Sequence, residues 1–286
     1  MFDFDNRRGT SSVGETAIYL FGFTCGDVLA AAPLAEAHCP LSQLLFRDIV
    51  AVFGEVALEE WTGPVAESHL QDLTWVGPRA CLHEKVIERL MRASAVFPAR
   101  FATLFSSLGQ LKKLMEMHHE VILTFLKSVA GKEEWAVRVF VDRAKAEESL
   151  FAALAHSQDV AGSASTGLDY LRERRLRVEV ARKARSWIHS TGQAIPAELE
   201  PHVVASRSLK TLTKEASGRD TEMVFNWAFL LARETREEFR ARVDEIGAPY
   251  ATQGLLLESS GPWPPYSFCP SLDAGLSGTD EAGAES

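Results

Sequence analysis

The chain has 286 residues, of which 46% are hydrophobic and 24% are charged, and its formal net charge is −9. This length and composition predict a soluble globular protein of two domains. An acidic balance of this size excludes a general attraction to nucleic acid or to anionic lipid, so we expect neither a nucleic acid nor a membrane as partner.

The ends of the chain and its cysteines indicate the compartment. The N-terminus has no apolar signal core, and the longest apolar stretch, residues 19–35, is too broken to span a bilayer. The four cysteines are scattered without a CxxC pair, which predicts reduced thiols in the cytoplasm. Residues 1–14 are predicted to be a disordered leader and residues 271–286 a disordered acidic tail.

The first half of the chain predicts an N-terminal α+β domain over residues 15–131. Aromatic and β-branched residues predict a strand at 16–24, followed by a loop at 26–43. A second strand region is predicted at 44–56, with Gly54 as a bulge or turn. A helix is expected to begin at Pro78, because the missing N–H is not needed at the first helical position.

Helical spacing continues through the rest of this half. Val86, Ile87, Leu90 and Met91 share one predicted face, and 96–105 is predicted to be extended, with an interruption at Pro98. The next helix has apolar or buried-type residues every three or four positions, at Leu111, Leu114, Met115, His118, Ile122, Phe125, Leu126 and Val129. Gly131 stands where a helix C-cap is expected, and we place the domain boundary there.

The second half predicts a C-terminal domain over residues 132–270. Strands are predicted at 135–141, 203–213, 222–231 and 254–258, and helices at about 144–155 and 168–189. A further helix is predicted to begin with a capping box at Thr235 and Glu238 and to end at Gly247 and Pro249. The fold class is therefore α+β, and the C-terminal domain is predicted to be a modified ferredoxin-like βαββαβ fold with an inserted helix.

Catalytic motifs are missing from the sequence. It contains no GxGxxG, GxxxxGK[ST] or GxSxG pattern. His83-Glu84 does not extend to HExxH because Ile87 occupies the last position, and His118 and His119 point about 100° apart on a helix. We therefore predict no catalytic, cofactor-binding or metal-binding residue and expect that the protein is not an enzyme.

A basic run at 171–187 contrasts with the acidic chain. It includes five arginines that are candidates for partner binding: Arg172, Arg174, Arg175, Arg182 and Arg185. The run is either a solvated helix face or a surface that binds RNA or an acidic partner. Since no aromatic RNA-binding pattern lies on the predicted strands, the solvated face is favoured.

The segment GPWPPYSF (261–268) is the least ordinary stretch of the sequence. Its three prolines exclude a central strand, because proline has no N–H to donate. It is interpreted as an aromatic clamp, in which Trp263 and Tyr266 cover apolar surface, with partner docking as the alternative.

Four ordered segments resemble the GvpF/GvpL family of gas vesicle proteins. They are WVGPRACLHEKVIERL (75–90), VFPARFATLF (96–105), KEEWAVRVFVD (132–142) and GPWPPYSF. Arg138 replaces a frequent lysine and keeps the charge. The residues that carry the resemblance are Trp75, Arg79, His83, Glu84, Pro98, Arg100, Phe101, Trp135, Gly261, Pro262, Trp263, Pro264, Pro265 and Tyr266.

The resemblance implies a cytoplasmic accessory or minor component of gas vesicles, built from two α+β domains. It implies binding to the hydrophobic shell protein GvpA and to other accessory Gvp proteins during vesicle formation. An RNA- or acidic-partner-binding ferredoxin-like module that uses the basic helix at 172–185 is the alternative. Because Arg79, His83, Glu84 and Arg100 lack a nucleophile or metal partner, we expect them to connect the N-terminal domain by polar contacts.

Overall fold

A computed structural model describes residues 15–26, 40–157 and 166–272, without the side chains of residues 155–157 and 166–173. The predicted leader, most of the predicted loop at 26–43, the Gly/Ser loop before residue 166 and the tail from residue 273 lie outside this description. The described residues fall into two compact units. The N-terminal unit lies within Met1–Ala130 and Cys269–Ser286, and the C-terminal unit is Gly131–Phe268. Each unit combines helices with an antiparallel sheet, which confirms the α+β class.

The N-terminal unit contains a sheet of order β2-β3-β1-β4, in which β5 also pairs with β1. Its strands are β1 (Thr16–Thr24), β2 (Leu41–Phe46), β3 (Ile49–Ala57), β4 (Val96–Pro98) and β5 (Leu104–Phe105). Its helices are α1 (Gly63–Gln71), α2 (Leu73–Ala93) and α3 (Leu108–Val129). The predicted strand at 16–24 is confirmed, because its aromatic and β-branched residues are buried on both faces of a central strand.

Two local predictions in this unit are wrong. The region 44–56 belongs to the hairpin of β2 and β3, which turns at Arg47, and Gly54 pairs in register with Leu41 of β2 and with Tyr19 of β1. The bulge lies in β1 instead, beside Gly22, where a Cβ would stand 2.6 Å from the carbonyl oxygen of Phe97. Pro78 lies inside α2, whose first turn is capped by the carboxylate of Asp72.

The amphipathic helices follow the predicted spacing closely. Val86, Ile87, Leu90 and Met91 of α2 are all buried, and α3 ends before Gly131, which has a φ of +69°. The structure differs from the prediction at one position of α3, because His119 is buried and the predicted His118 is only partly covered.

The C-terminal unit has the sheet order β7-β8-β6-β9, with neighbouring strands antiparallel. Its strands are β6 (Lys132–Val141), β7 (Ala205–Ser208), β8 (Glu222–Ala232) and β9 (Leu255–Trp263). Its helices are α4 (Arg143–Ser157), α5 (Thr166–Leu199), α6 (Lys214–Ser217) and α7 (Arg236–Ala251). The core lies between one face of this sheet and helices α5 and α7.

Several predicted boundaries in this unit shift. Helix α5 continues ten residues past His189, and the strand predicted at 203–213 is paired only over β7. The capping box does not form, because the Thr235 hydroxyl donates to the carbonyl oxygen of Ala232. Helix α7 runs through Gly247 and Pro249, and a Cβ at Gly247 would lie 3.2 Å from Cβ of Leu257, so the glycine is a packing position.

The last strand also enters the GPWPPYSF segment. Trp263 pairs with Glu134 across a register shift, so β9 ends at Trp263 and not near Glu258. Proline is tolerated there because β9 is an edge strand, where one row of N–H groups has no ladder partner. Leu255 and Leu257 share the core face as predicted.

Candidate functional site: an aromatic pocket on the N-terminal unit

A concave pocket of about 340 Å³ opens between β1, β3 and α2. Six of the side chains that line it are Tyr19, Phe21, Val56, Trp61, Leu82 and His83. Strands β1 and β3 form its floor, α2 one wall, and the segment that leads into α1 another. The lining is therefore mostly apolar and aromatic, and its charged side chains are those of Arg79, Glu55 and Glu60.

Trp61 is the centre of the aromatic cluster beside this pocket. Its ring centroid lies 5.1 Å from that of Tyr19, 4.9 Å from that of Trp75 and 5.7 Å from that of Phe101. The rings of Tyr19 and Trp75 meet Trp61 edge-to-face, a geometry that aromatic pairs prefer, and the ring of Phe101 is tilted against it by 57°. The cluster brings Trp75 and Phe101, two residues of the predicted family segments, to one place.

His83 lies under the pocket and makes a hydrogen bond through each ring nitrogen. Nε2 lies 3.1 Å from the carbonyl oxygen of Ala99, which can only accept, so Nε2 carries the proton. Nδ1 then accepts from the Tyr19 hydroxyl at 2.9 Å. The backbone N–H of Ala102, a residue with a φ of +64°, donates to the same hydroxyl at 3.2 Å.

Burial lowers the pKa of His83 to about 4, although its hydrogen bond to Ala99 acts in the opposite direction. The imidazole is therefore neutral near pH 7 and serves as a connector between β1, α2 and the turn at 99–102. This geometry agrees with a structural role for His83.

Arg79 forms the polar edge of the pocket. Its guanidinium carbon lies 3.9 Å from the ring centroid of Trp75, and Nη2 lies 3.1 Å from Oε2 of Glu60. Both members of the ion pair are more than a third exposed, so the pair contributes little to stability. Stacking on Trp75 nevertheless fixes the direction of the side chain, because a planar guanidinium packs well on an aromatic face.

The remaining residues of the N-terminal segments lie around this cluster. Pro98 is buried at the end of β4, and Glu84 is half-buried on α2. Arg100 is exposed, and its carbonyl oxygen accepts from the hydroxyl of Thr103 at 2.6 Å. Arg79, His83, Glu84 and Arg100 were expected to make polar contacts. Arg79 and His83 make them through their side chains, whereas Arg100 contributes through its backbone carbonyl.

The C-terminal segments meet around the start of β6. A Cβ added to Gly261 would lie 2.8 Å from Cδ2 of Trp135, so only glycine fits against that ring. Pro264 and Pro265 are buried, and Ser267 hydrogen-bonds to Glu134. Trp263, predicted to act as a clamp, is 37% exposed, so it is covered less completely than Trp135, and the clamp stays a prediction. Pro262 is exposed and Tyr266 is half-buried.

Sequence reasoning missed several residues that hold these sites together. Three of them lie outside the segments that carry the family resemblance: Tyr19, Glu60 and Trp61. The fourth is Ser267, which lies in GPWPPYSF, a segment whose interpretation was based on its aromatic residues. His118 and His119 point in different directions on α3, as predicted, since His119 is buried against Phe46 with ring centroids 5.9 Å apart and His118 is only partly covered. A polar residue within an apolar strand, such as Tyr19 in TAIYLFGFT, was the available signal.

Within the described residues, no group of three or more His, Cys, Asp or Glu side chains is arranged to hold a metal ion. No helix in that part of the chain is both long and apolar enough to cross a bilayer. Arg174, Arg175, Arg182 and Arg185 are exposed on α5, and the side chain of Arg172 lies outside the description.

The four sequence segments lie in two places on this α+β scaffold, at the aromatic pocket of the N-terminal unit and around the start of β6. Their order along the chain is that expected of one class of protein, the gas vesicle proteins. A model of the gas vesicle synthesis protein GvpL/GvpF family matches residues 17–270, so this chain belongs to that family. The family resemblance inferred from the four segments is thereby confirmed.

Individual relatives agree with this assignment. The chain is 28% identical to gas vesicle protein L of Streptomyces sp. (strain CB03234) over 248 residues, which cover 85% of this chain and 88% of the relative. It is 27% identical to gas vesicle protein F of Dolichospermum flosaquae, over 65% of this chain and 74% of the relative. The crystal structure of GvpF from Anabaena sp. PCC7120 superposes with a TM-score of 0.63 at 17% identity, covering 90% of this chain and 97% of that one, which shows a shared fold.

Proposed function

We propose that this protein acts in gas vesicle assembly by binding the shell protein GvpA, and that the aromatic pocket holds an apolar part of GvpA. Family membership supports the gas vesicle role, and the apolar lining of an open pocket supports the mode of binding. A shell subunit that exposes apolar surface aggregates before it assembles, so a partner that covers part of that surface keeps it available.

The size of the pocket defines what it holds. At about 340 Å³, it is near the lower end of ligand pockets, and it accommodates a few side chains of a segment and not a whole helix. The hydrophobic gain comes from burying apolar side chains against Trp61, Leu82 and Val56, while the Arg79–Glu60 pair at the edge favours one orientation of the segment. The proposed work needs surfaces and no catalytic group, and we expect it to take place in the cytoplasm, at the gas vesicle, together with other accessory Gvp proteins.

The architecture proposed for this role is two domains that meet near residue 131. The division of the chain into compact units at Ala130 and Gly131 supports this boundary. A modified ferredoxin-like C-terminal domain is supported by the sheet order β7-β8-β6-β9. Along the chain, α4 and α5 connect β6 to β7, and α7 connects β8 to β9.

The test is co-purification of GvpA with affinity-tagged protein from cells that also express the other accessory Gvp proteins. Two variants place a charge in the pocket, Leu82→Glu and Pro78→Glu. Pro78 is exposed and inside a helix, where proline is unfavourable, so we expect Pro78→Glu to fold like wild type. Val121→Glu, at a 42% exposed position on α3, is the matched control.

We expect wild type and Val121→Glu to retain GvpA, and both pocket variants to lose most of it while their thermal unfolding stays close to that of wild type. If folded wild type fails to retain GvpA, the binding proposal is wrong. If both pocket variants retain it fully, GvpA binds elsewhere.

A further inference from the structure

Four exposed arginines lie on one side of α5, and we call Arg174, Arg175, Arg182 and Arg185 the arginine stripe. At 3.6 residues per turn, the four positions fall within an arc of about 100°. Val178 lies within the same arc and is 69% exposed, which makes it one of the most exposed large apolar residues of the described chain. The stripe therefore combines positive charge with an apolar position near its centre.

The orientation of the stripe is fixed by the buried side of the helix. Val180, Ala184, Ile188 and Ile195 of α5 are all at most 6% exposed, and the last two belong to the core of the C-terminal unit. Rotating the helix to cover the arginines would remove these side chains from the core. The stripe is thus held outward by packing.

The stripe forms no ion pair with the described part of the chain. In the described part of the chain, no carboxylate lies within 4 Å of a stripe guanidinium, whereas other arginines of this unit are paired, as in Arg143–Glu222 and Arg219–Glu258. The nearby Lys183 is paired with Glu179 on the flank of the same helix. Like charges one turn apart, such as Arg182 and Arg185, cost helix stability. Glu179 offsets only part of that cost, because its carboxylate is attracted mainly to Lys183 and more weakly to Arg182.

We propose that the arginine stripe docks an acidic helical segment of a partner protein. Charge complementarity supplies the attraction, and Val178 supplies an apolar contact at the centre of the seam. Positions 174, 178, 182 and 185 are spaced by four, four and three residues, which is the spacing of a surface that meets a second helix. A protein helix is preferred to single-stranded RNA, because no aromatic side chain belongs to the stripe and proteins that bind single strands commonly stack the bases on aromatic rings.

This interaction is separate from the proposed pocket on the N-terminal unit and does not depend on GvpA. The probe is an alanine-rich peptide of about 20 residues, long enough to be helical in water, with glutamates at the matching spacing and a leucine opposite Val178. A peptide of the same composition with scattered glutamates and a single-stranded oligouridine are the comparisons. Binding to the full chain is measured by fluorescence anisotropy at low and at physiological salt.

Three variants decide the outcome. Arg182→Glu/Arg185→Glu should weaken binding of the matched peptide by about tenfold or more, because two attractions become repulsions. Val178→Ser, which leaves the charge unchanged, should weaken it by about fivefold. Lys112→Glu/Lys113→Glu, an equal charge change at exposed positions on α3, should alter the affinity less than twofold.

The proposal is overturned if the matched peptide does not bind at low salt, or if the scattered peptide binds equally well. It is also overturned if oligouridine binds more tightly than the peptide and loses its affinity in the Arg182→Glu/Arg185→Glu variant, since the stripe is then a nucleic-acid surface. All the substituted positions are exposed, so we expect the variants to unfold at the same temperature as wild type. That result shows that a loss of binding is not caused by a loss of folded protein.

Discussion

Ser267 donates two hydrogen bonds to the carboxylate of Glu134, from its backbone nitrogen at 2.9 Å and from its hydroxyl at 2.6 Å. The two residues are 133 positions apart in sequence, and the contact ties the GPWPPYSF segment to the first strand of the C-terminal unit. Burial raises the pKa of the Glu134 carboxyl, while the bonds from Ser267 and the charge of Arg207 oppose that rise. A buried carboxylate of this kind is tolerated because its oxygens are hydrogen-bonded.

Replacing Ser267 by alanine should therefore destabilise the C-terminal unit. Glu134 is only 6% exposed, so loss of the hydroxyl donor leaves an oxygen of the carboxylate without its partner, at a cost of about 1–3 kcal/mol. Urea unfolding measures this difference. Ser208→Ala, at an exposed position on β7, is the control and should change the free energy of unfolding by less than about 0.5 kcal/mol.

The two tryptophans of this region should differ in importance. Trp135 is 4% exposed and packs on Phe239 in the core, so Trp135→Ala should cost about 3–5 kcal/mol. Trp263 is 37% exposed at the end of an edge strand, and Trp263→Ala should cost about 1 kcal/mol, near the average for a substitution. Equal losses in thermal unfolding would show that Trp263 anchors the segment after all.

His83 should make the protein sensitive to acid. Its pKa is lowered from 6.5 to about 4 by burial, so between these values the unfolded chain binds a proton that the folded chain does not. The contribution of neutral His83 to the free energy of unfolding is fully present above pH 6.5. It is lost as the pH falls toward 4, by about 3 kcal/mol in total.

The measurement is the urea midpoint at a series of pH values from 7 to 4.5. His83→Gln should be less stable than wild type at pH 7, and the gap between the two should close as the pH falls. His189→Gln removes an exposed histidine and should follow the wild-type curve. A gap that stays constant with pH would mean that His83 titrates normally in the folded protein.

Gly192 tests whether helix propensity or packing dominates in α5. Alanine is preferred to glycine inside a helix by about 1 kcal/mol, but a Cβ here would lie 1.9 Å from Cζ of Phe225. Gly192→Ala should therefore destabilise by about 1–3 kcal/mol in thermal unfolding. At Gly109 of α3 the nearest atom to an added Cβ is 3.7 Å away, so Gly109→Ala should not destabilise.

The sequence by itself determined the elements whose periodicity is strong and local. The strand at 16–24, the buried faces of α2 and α3 and the alternation of 135–141 follow from apolar spacing, and the ordered segments identified the family. The boundaries that failed, at Pro78, Gly247 and Pro249, are those at which local preference predicts a helix terminus, yet packing of α2 and α7 on their sheets keeps the helix intact.

Only the tertiary structure decided which residues meet. Tyr19 contacts His83 across 64 positions, and Ser267 contacts Glu134 across 133, and no spacing in the sequence encodes such pairs. The pairing of strands brings them together, and the pairing is chosen by burial summed over the whole sheet. For the same reason the sequence identified Trp263 only as a large aromatic residue, whereas its exposure was set by its place on the last strand at the edge of the sheet.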